Sequence, residues 1–177
     1  MSRKGDITVA IYPNYRGMGY VICRTPKDVI DYGIGYLKLL APNYYVKRLC
    51  KFIEIYKPNV IVLKDYGEGL YKVKPRVKKV IETIELEAYK EGLTVHRYSR
   101  GEMVRVFSQF GETNKFGISV TLSRWYPNLQ HLMSPKRTLT QTEDYYMGIF
   151  DAHALMCTHF ATISPNKEQN YEDENHS

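Results

Sequence analysis

The sequence predicts a single α/β domain built on a mixed five-stranded sheet flanked by helices. Three observations carry this. Three β-rich runs follow one another between Ile7 and Leu37 with only short turns between them, which makes an antiparallel meander. The apolar pattern then changes to helical spacing. Two further short apolar runs are each reached through a helical stretch, as expected of strands added in parallel to the meander.

The first strand is Ile7-Thr8-Val9-Ala10-Ile11-Tyr12, stopped by the turn signal Pro13-Asn14. The second is Gly19-Tyr20-Val21-Ile22-Cys23-Arg24, broken by Thr25-Pro26-Lys27-Asp28, and the third runs from Val29 to Leu37. From Pro42 to Tyr56 the apolar residues Tyr45, Leu49, Phe52 and Ile53 recur at helical spacing, and Pro58-Asn59 ends that helix. Val60-Ile61-Val62-Leu63 is a short continuous apolar run, the mark of a strand buried on both faces. Val73 to Glu91 is amphipathic, with Val77, Val80, Ile81, Ile84 and Ala88 inward and Gly92 as the residue that closes the helix. Leu93 to Tyr98 makes the fifth strand. Ser99 and Glu102 have capping-box spacing ahead of a helix carrying Met103, Val106 and Phe107. A helix from about Thr113 to Tyr126 ends at Pro127, and a last helix runs from about Glu143 to Ala161. One domain over residues 1–163 is expected, followed by a polar, acidic and disordered tail over 164–177.

A chain of 177 residues suffices for one proper core. The formal charge of +6 favours an anionic partner, nucleic acid first. Sixteen tyrosines supply many side chains suited to half-buried or contact positions. Cys23, Cys50 and Cys157 are odd in number and form no CxxC pair, so three buried reduced thiols in a cytoplasmic protein are expected. No apolar run is long enough to span a bilayer and no secretory leader is recognised.

Four stretches resemble the RuvC-type Holliday junction resolvases of the ribonuclease H-like fold. They are Ile11-Tyr12-Pro13-Asn14-Tyr15-Arg16-Gly17-Met18-Gly19-Tyr20, Val62-Leu63-Lys64-Asp65-Tyr66, Tyr98-Ser99-Arg100-Gly101-Glu102 leading to Arg105-Val106-Phe107, and Glu143-Asp144-Tyr145-Tyr146-Met147-Gly148-Ile149-Phe150-Asp151-Ala152. The likeness extends from about Ile7 to Phe160. The element order, three strands before any helix, agrees with that fold and not with a flavodoxin-like one.

The resemblance implies carboxylates from the strand ends and the last helix, holding two divalent ions, Mg²⁺ or Mn²⁺, roughly 4 Å apart. This sequence departs from that pattern. Tyr12 stands where the family has the first-strand aspartate, and Lys64 where it has the fourth-strand acid. Asp65, beside Lys64, faces the other way unless the strand end shifts by one residue. Asp151 is kept on the last helix, whereas Gly148 replaces the acid three residues earlier, leaving Glu143 and Asp144 as further carboxylates. A tyrosine hydroxyl is a poor magnesium ligand near neutral pH, and an ammonium repels the ions. It could instead meet a phosphate itself.

The catalytic candidates are therefore Asp65, Glu143, Asp144 and Asp151, with Asp151 and Asp65 as metal candidates. Each has a plain structural reading: helix dipole for Asp151, capping for Glu143 and Asp144, a turn for Asp65. Lys72, Lys74, Arg76, Lys78 and Lys79, interleaved with Tyr66 and Tyr71, suit phosphate tracking with stacking, or a solvated helix face. Arg100, Arg105, Lys136 and Arg137, with Arg97, form a second basic group. His153 and His159 are six apart, so one helix face does not hold both.

The reading placed first is a RuvC-like protein that binds nucleic acid, DNA foremost, with an impaired two-metal centre. The alternatives are an active Mg²⁺- or Mn²⁺-dependent endonuclease, and a structural subunit using the fold as a protein-binding platform. A homodimer is implied by the resemblance alone.

Overall fold

The computed structural model describes residues 5–14, 17–36, 42–67, 75–136, 138 and 144–164. Its sheet has five strands: β1 (Thr8–Asn14), β2 (Gly17–Thr25), β3 (Asp28–Tyr36), β4 (Val60–Asp65) and β5 (Thr94–Ser99). The spatial order is β3-β2-β1-β4-β5. The β1, β2 and β3 strands pair antiparallel, while β4 joins β1, and β5 joins β4, in parallel. The mixed sheet expected from the run lengths is thus the one formed.

Two helices cover one face: α1 (Pro42–Tyr56) and α2 (Pro75–Lys90). Their apolar stripes pack on Val9, Ile11, Met18, Tyr20, Ile22, Ile61 and Leu63. The opposite face, with Ala10, Val21, Cys23, Val62 and Tyr98, carries α3 (Arg100–Ser108), α4 (Lys115–Trp125) and α5 (Met147–Ile163). A 3₁₀ turn over Pro127–Leu132 follows α4. Strand residues alternate between the two clusters because successive side chains leave opposite faces.

The local signals act as written. Gly92 has φ +72°, its N–H donates to Tyr89 O, and Leu93 N donates to Ala88 O, closing α2 as a Schellman motif. Ser99 Oγ accepts from Glu102 N while Glu102 Oε2 accepts from Ser99 N, a complete capping box.

The long last helix departs from expectation at its start. It begins at Met147 and not near Glu143, because Asp144 Oδ1 accepts from Tyr146 N (2.8 Å) and holds residues 144–146 in a turn. From Gly148 to His159 every residue of α5 is buried. A helix enclosed all round must find partners for its polar side chains inside the protein. His153 Nδ1 accordingly lies 2.9 Å from Ile149 O, Thr158 Oγ1 donates to Ala154 O, and His159 Nδ1 lies 3.0 Å from Tyr98 OH. Cys23 and Cys157 are buried, but Cys50 is exposed on α1, against the expectation of three buried thiols.

Candidate nucleic-acid interface and the centre it surrounds

The sheet faces decide which side chains meet. Tyr12 packs with the α5-side cluster, as do Ala10 before it on β1 and Val62 before Lys64 on β4. By alternation Tyr12 and Lys64 project to the α5 side, toward Asp151. Tyr98, the register partner of Lys64, belongs to the same cluster. Asp65 is one residue further and turns to the α1/α2 side. Its Oδ1 accepts from Gly67 N (3.0 Å), closing the turn after β4.

Asp151 is 3% exposed. A cation answers it: Lys115 Nζ, at the first residue of α4, stands 2.7 Å from Asp151 Oδ2. The same ammonium lies 5.9 Å from the centroid of the Tyr12 ring. Lys115 was not singled out from the sequence, although one signal was available. Asn114 caps α4 with its side chain on Gly117 N, which places a lysine on the first turn, where the helix dipole disfavours a cation. A local rule broken in that way points to a specific partner.

Lys64 is 4% exposed, and its Nζ makes no hydrogen bond with any described residue. The ring of Tyr66 lies 5.7 Å from it. Burial lowers the Lys64 pKa to about 8, with the Arg100 charge acting in the same direction. Asp151 and Asp65 oppose this, and Lys115 adds a smaller lowering effect.

The remaining position of the expected carboxylate set is filled by backbone. A Cβ on Gly19, the register partner of Tyr12, would lie 1.8 Å from Gly148 O. The start of α5 therefore presses directly on β2. A Cβ on Gly148 would meet Ile34 Cδ1 at 3.2 Å and Asn14 Nδ2 at 3.4 Å. Gly19 permits this contact, and a carboxylate at position 148 would enter the Ile34 packing.

These residues do not fit a pair of divalent ions. Among the described residues no group of three or more His, Cys, Asp or Glu side chains could hold a metal. On the α5 side, where Tyr12 and Lys64 point, Asp151 already pairs with Lys115, and an ammonium stands at the strand position expected to carry an acid. Asp144 is engaged in the turn before α5. Glu143 lies outside the described residues, as do Lys72, Lys74 and Arg137 and the tail beyond 164.

Of the remaining cations, Arg76, Lys78 and Lys79 are exposed on the first two turns of α2, Arg105 is exposed on α3, and Lys136 is exposed in its loop. Arg97 is committed to a two-pronged pair with Glu85 of α2. A cleft of about 190 Å³ at the end of β4 is lined by Lys64, Asp65, Tyr66, Lys78 and Arg97 among others. One member of each basic group, Lys78 and Arg97, thus lines the same cleft, and Arg100 follows directly on β5. No described helix is long and apolar enough to cross a membrane.

No family model matches the chain, and no curated protein matches it. Solved structures do. RuvC of Thermus thermophilus aligns over 89% of this chain and 96% of its own, with a TM-score of 0.63 and 12% identity. The same protein in complex with a Holliday junction substrate aligns with a TM-score of 0.60, 12% identity and the same shares of both chains. The Fowlpox virus resolvase in complex with Holliday junction DNA gives 0.56 at 13% identity, over 89% of this chain and 98% of its own. At such identities the likeness establishes the fold, which is the ribonuclease H-like fold found in the Holliday junction resolvases.

Proposed function

We propose that this chain binds nucleic acid, branched DNA foremost, through phosphate contacts, without the two-metal cleavage chemistry that the resemblance implies. One observation carries the reading: lysine ammonium groups stand at the centre of the fold, Lys115 on Asp151 and Lys64 beside them. A cation on the retained carboxylate satisfies its charge and removes it as a metal ligand. The other support is electrostatic. The chain carries +6, and exposed cations of α2 and α3 flank the strand ends. Two of the similar solved structures hold Holliday junction DNA on the same fold.

The test is to incubate labelled single-stranded, duplex and four-way-junction DNA with the protein in Mg²⁺ or Mn²⁺, recording binding and cleavage on the same samples. Binding without cutting is the expected result. Cutting that disappears in Asp151→Asn would overturn the reading in favour of an altered active site. No affinity for any DNA or RNA at low salt would remove the nucleic-acid reading altogether.

A further inference from the structure

Lys64 is a buried ammonium with no hydrogen-bond partner among the described residues. A charge in that position is costly unless an opposite charge and hydrogen-bond acceptors reach it. The groups acting on it do not supply them. Asp151 Oδ2 is taken by Lys115, and Asp65 leaves the other face of the strand with Oδ1 on Gly67 N. Glu102, in the first turn of α3, is engaged by the backbone of Ser99. Among the charges that act on Lys64, Arg100 and Lys115 stand against Asp151 and Asp65, so protonated Lys64 has no counter-charge left over within that set. A phosphodiester carries one negative charge and two free acceptor oxygens.

The start of α3 adds to the demand for an anion. The helix is nine residues long and begins directly after β5, whose Tyr98 is in register with Lys64. Ser99 Oγ takes the N–H of Glu102, while those of Arg100 and Gly101 have no acceptor within the helix, a setting that favours anions. Gly101 leaves open space there: the nearest atom to a Cβ at that position would be Ser99 Oγ, 3.8 Å away.

We propose that Lys64, with Arg100 and the amino end of α3, forms an anion site that takes one backbone phosphodiester of the bound nucleic acid without a divalent ion. The inference rests on the nucleic-acid reading for the identity of the ligand, and on the orphaned ammonium for the existence of the site. It differs from the surface contacts of α2 in one respect. A buried charge-assisted contact fixes the position of one phosphate, while exposed lysines track the backbone loosely.

The experiment pairs affinity with a signal from Lys64 itself, in the full chain. A labelled four-way DNA junction is titrated in EDTA, over a range of salt, against the wild type, Lys64→Met and Lys51→Gln, the last removing an exposed charge on α1. Lys64→Met is expected to weaken binding about tenfold or more, as loss of a charged hydrogen bond does, and to lower the salt slope by about one phosphate contact. Lys51→Gln is expected to change neither beyond about twofold. In ¹⁵N-lysine-labelled wild type, the Lys64 Nζ resonance is expected to shift on addition of inorganic phosphate.

Junction affinity and salt slope unchanged in Lys64→Met would overturn the site while leaving the nucleic-acid reading intact. A wild type that binds no DNA, but whose Lys64 signal responds to phosphate, would keep the site and overturn that reading. If Lys64→Met does not fold, the wild-type signal decides alone: no response to junction DNA or to phosphate overturns the site.

Discussion

Lys115 Nζ stands 2.7 Å from Asp151 Oδ2, and so joins the first turn of α4 to the second turn of the buried helix α5. The carboxylate is buried, whereas about a third of the lysine side chain reaches solvent. Removing the lysine strands a buried negative charge, which is the expensive way to break such a pair. Lys115→Met is expected to cost on the order of 2 kcal/mol, less than a fully buried pair because solvent screens the ammonium. In Lys115→Met/Asp151→Asn the charge is gone from both sides, so the double variant is expected to lose less than the sum of the singles. Urea denaturation of the four proteins checks this. Strict additivity would mean that the contact carries no energy.

Lys64 presents the opposite case. Its ammonium is buried and makes no hydrogen bond among the described residues, so its removal relieves a cost instead of creating one. Lys64→Met, close in length and apolar, is expected to raise folding stability by about 1–3 kcal/mol at neutral pH, the range seen when buried charge is replaced by well-packed apolar side chains. A gain in stability from loss of a central residue is what a functional position predicts. A fall in the unfolding midpoint would show that Lys64 is structurally satisfied.

Much of this architecture could be read in advance, and the reasons are local. The meander, the return strands and the ends of α2 and α3 follow from period, turn residues and caps, all within a few residues of one another. Gly92 and the Ser99–Glu102 pair carry their own explanation. That Tyr12 and Lys64 share a face follows from strand alternation once the register is known. Lys115 was not legible, because its partner lies 36 positions away and only the packing of α4 on α5 joins them. Gly148 stands at the missing acid, but what surrounds it, the side chains of Ile34 on β3 and Asn14 on β1, comes from distant strands and no local pattern reveals it. The start of α5 lies later than the expected Glu143 because Asp144 holds a turn ahead of it.

The contact between Gly19 and Gly148 makes unequal demands on its two sides. A Cβ on Gly19 meets the carbonyl of Gly148 at 1.8 Å, and backbone of a buried helix cannot give way as a side-chain tip can. Gly19→Ala is therefore expected to lift α5 from the sheet and cost about 3 kcal/mol or more, the upper end for overpacking. A Cβ on Gly148 meets the end of the Ile34 side chain at 3.2 Å, which can adjust. Gly148→Ala is expected to cost about 1 kcal/mol. Thermal unfolding of both variants tests the order, and equal losses would contradict it.

A metal centre can be sought by reversing the replacements. Divalent ions are expected to leave the unfolding temperature of the wild type unchanged, since the central carboxylate is already paired. Tyr12→Asp with Lys64→Glu puts two acids on the Asp151 side of the sheet, but Lys115 still competes for Asp151. Adding Lys115→Ala removes the competitor. The triple variant is expected to gain stability on addition of Mn²⁺, by an amount that grows with the logarithm of its concentration. The double variant is expected to respond only at higher concentration. A Mn²⁺ response in the wild type matching that of the triple variant would reject this account of the centre.

The last prediction concerns acid. Burial pushes the pKa of both His153 and His159 on α5 down to about 4, and the charge of His96 adds to the effect on His159. In the unfolded chain both should titrate near their ordinary 6.5. Above that value neither state binds the proton and the stability is complete. Between pH 6.5 and 4 the unfolded chain takes up protons that the folded chain refuses, so stability falls as pH falls through this window. Below about 4 both states are protonated and this loss levels off. At 1.36 kcal/mol per pKa unit the loss approaches roughly 3 kcal/mol for each histidine. His153→Gln and His159→Gln are expected to flatten the curve of unfolding free energy against pH between 6.5 and 4, whatever they do to stability at neutral pH. A slope unaltered in the double variant would assign the acid sensitivity to groups other than these two histidines.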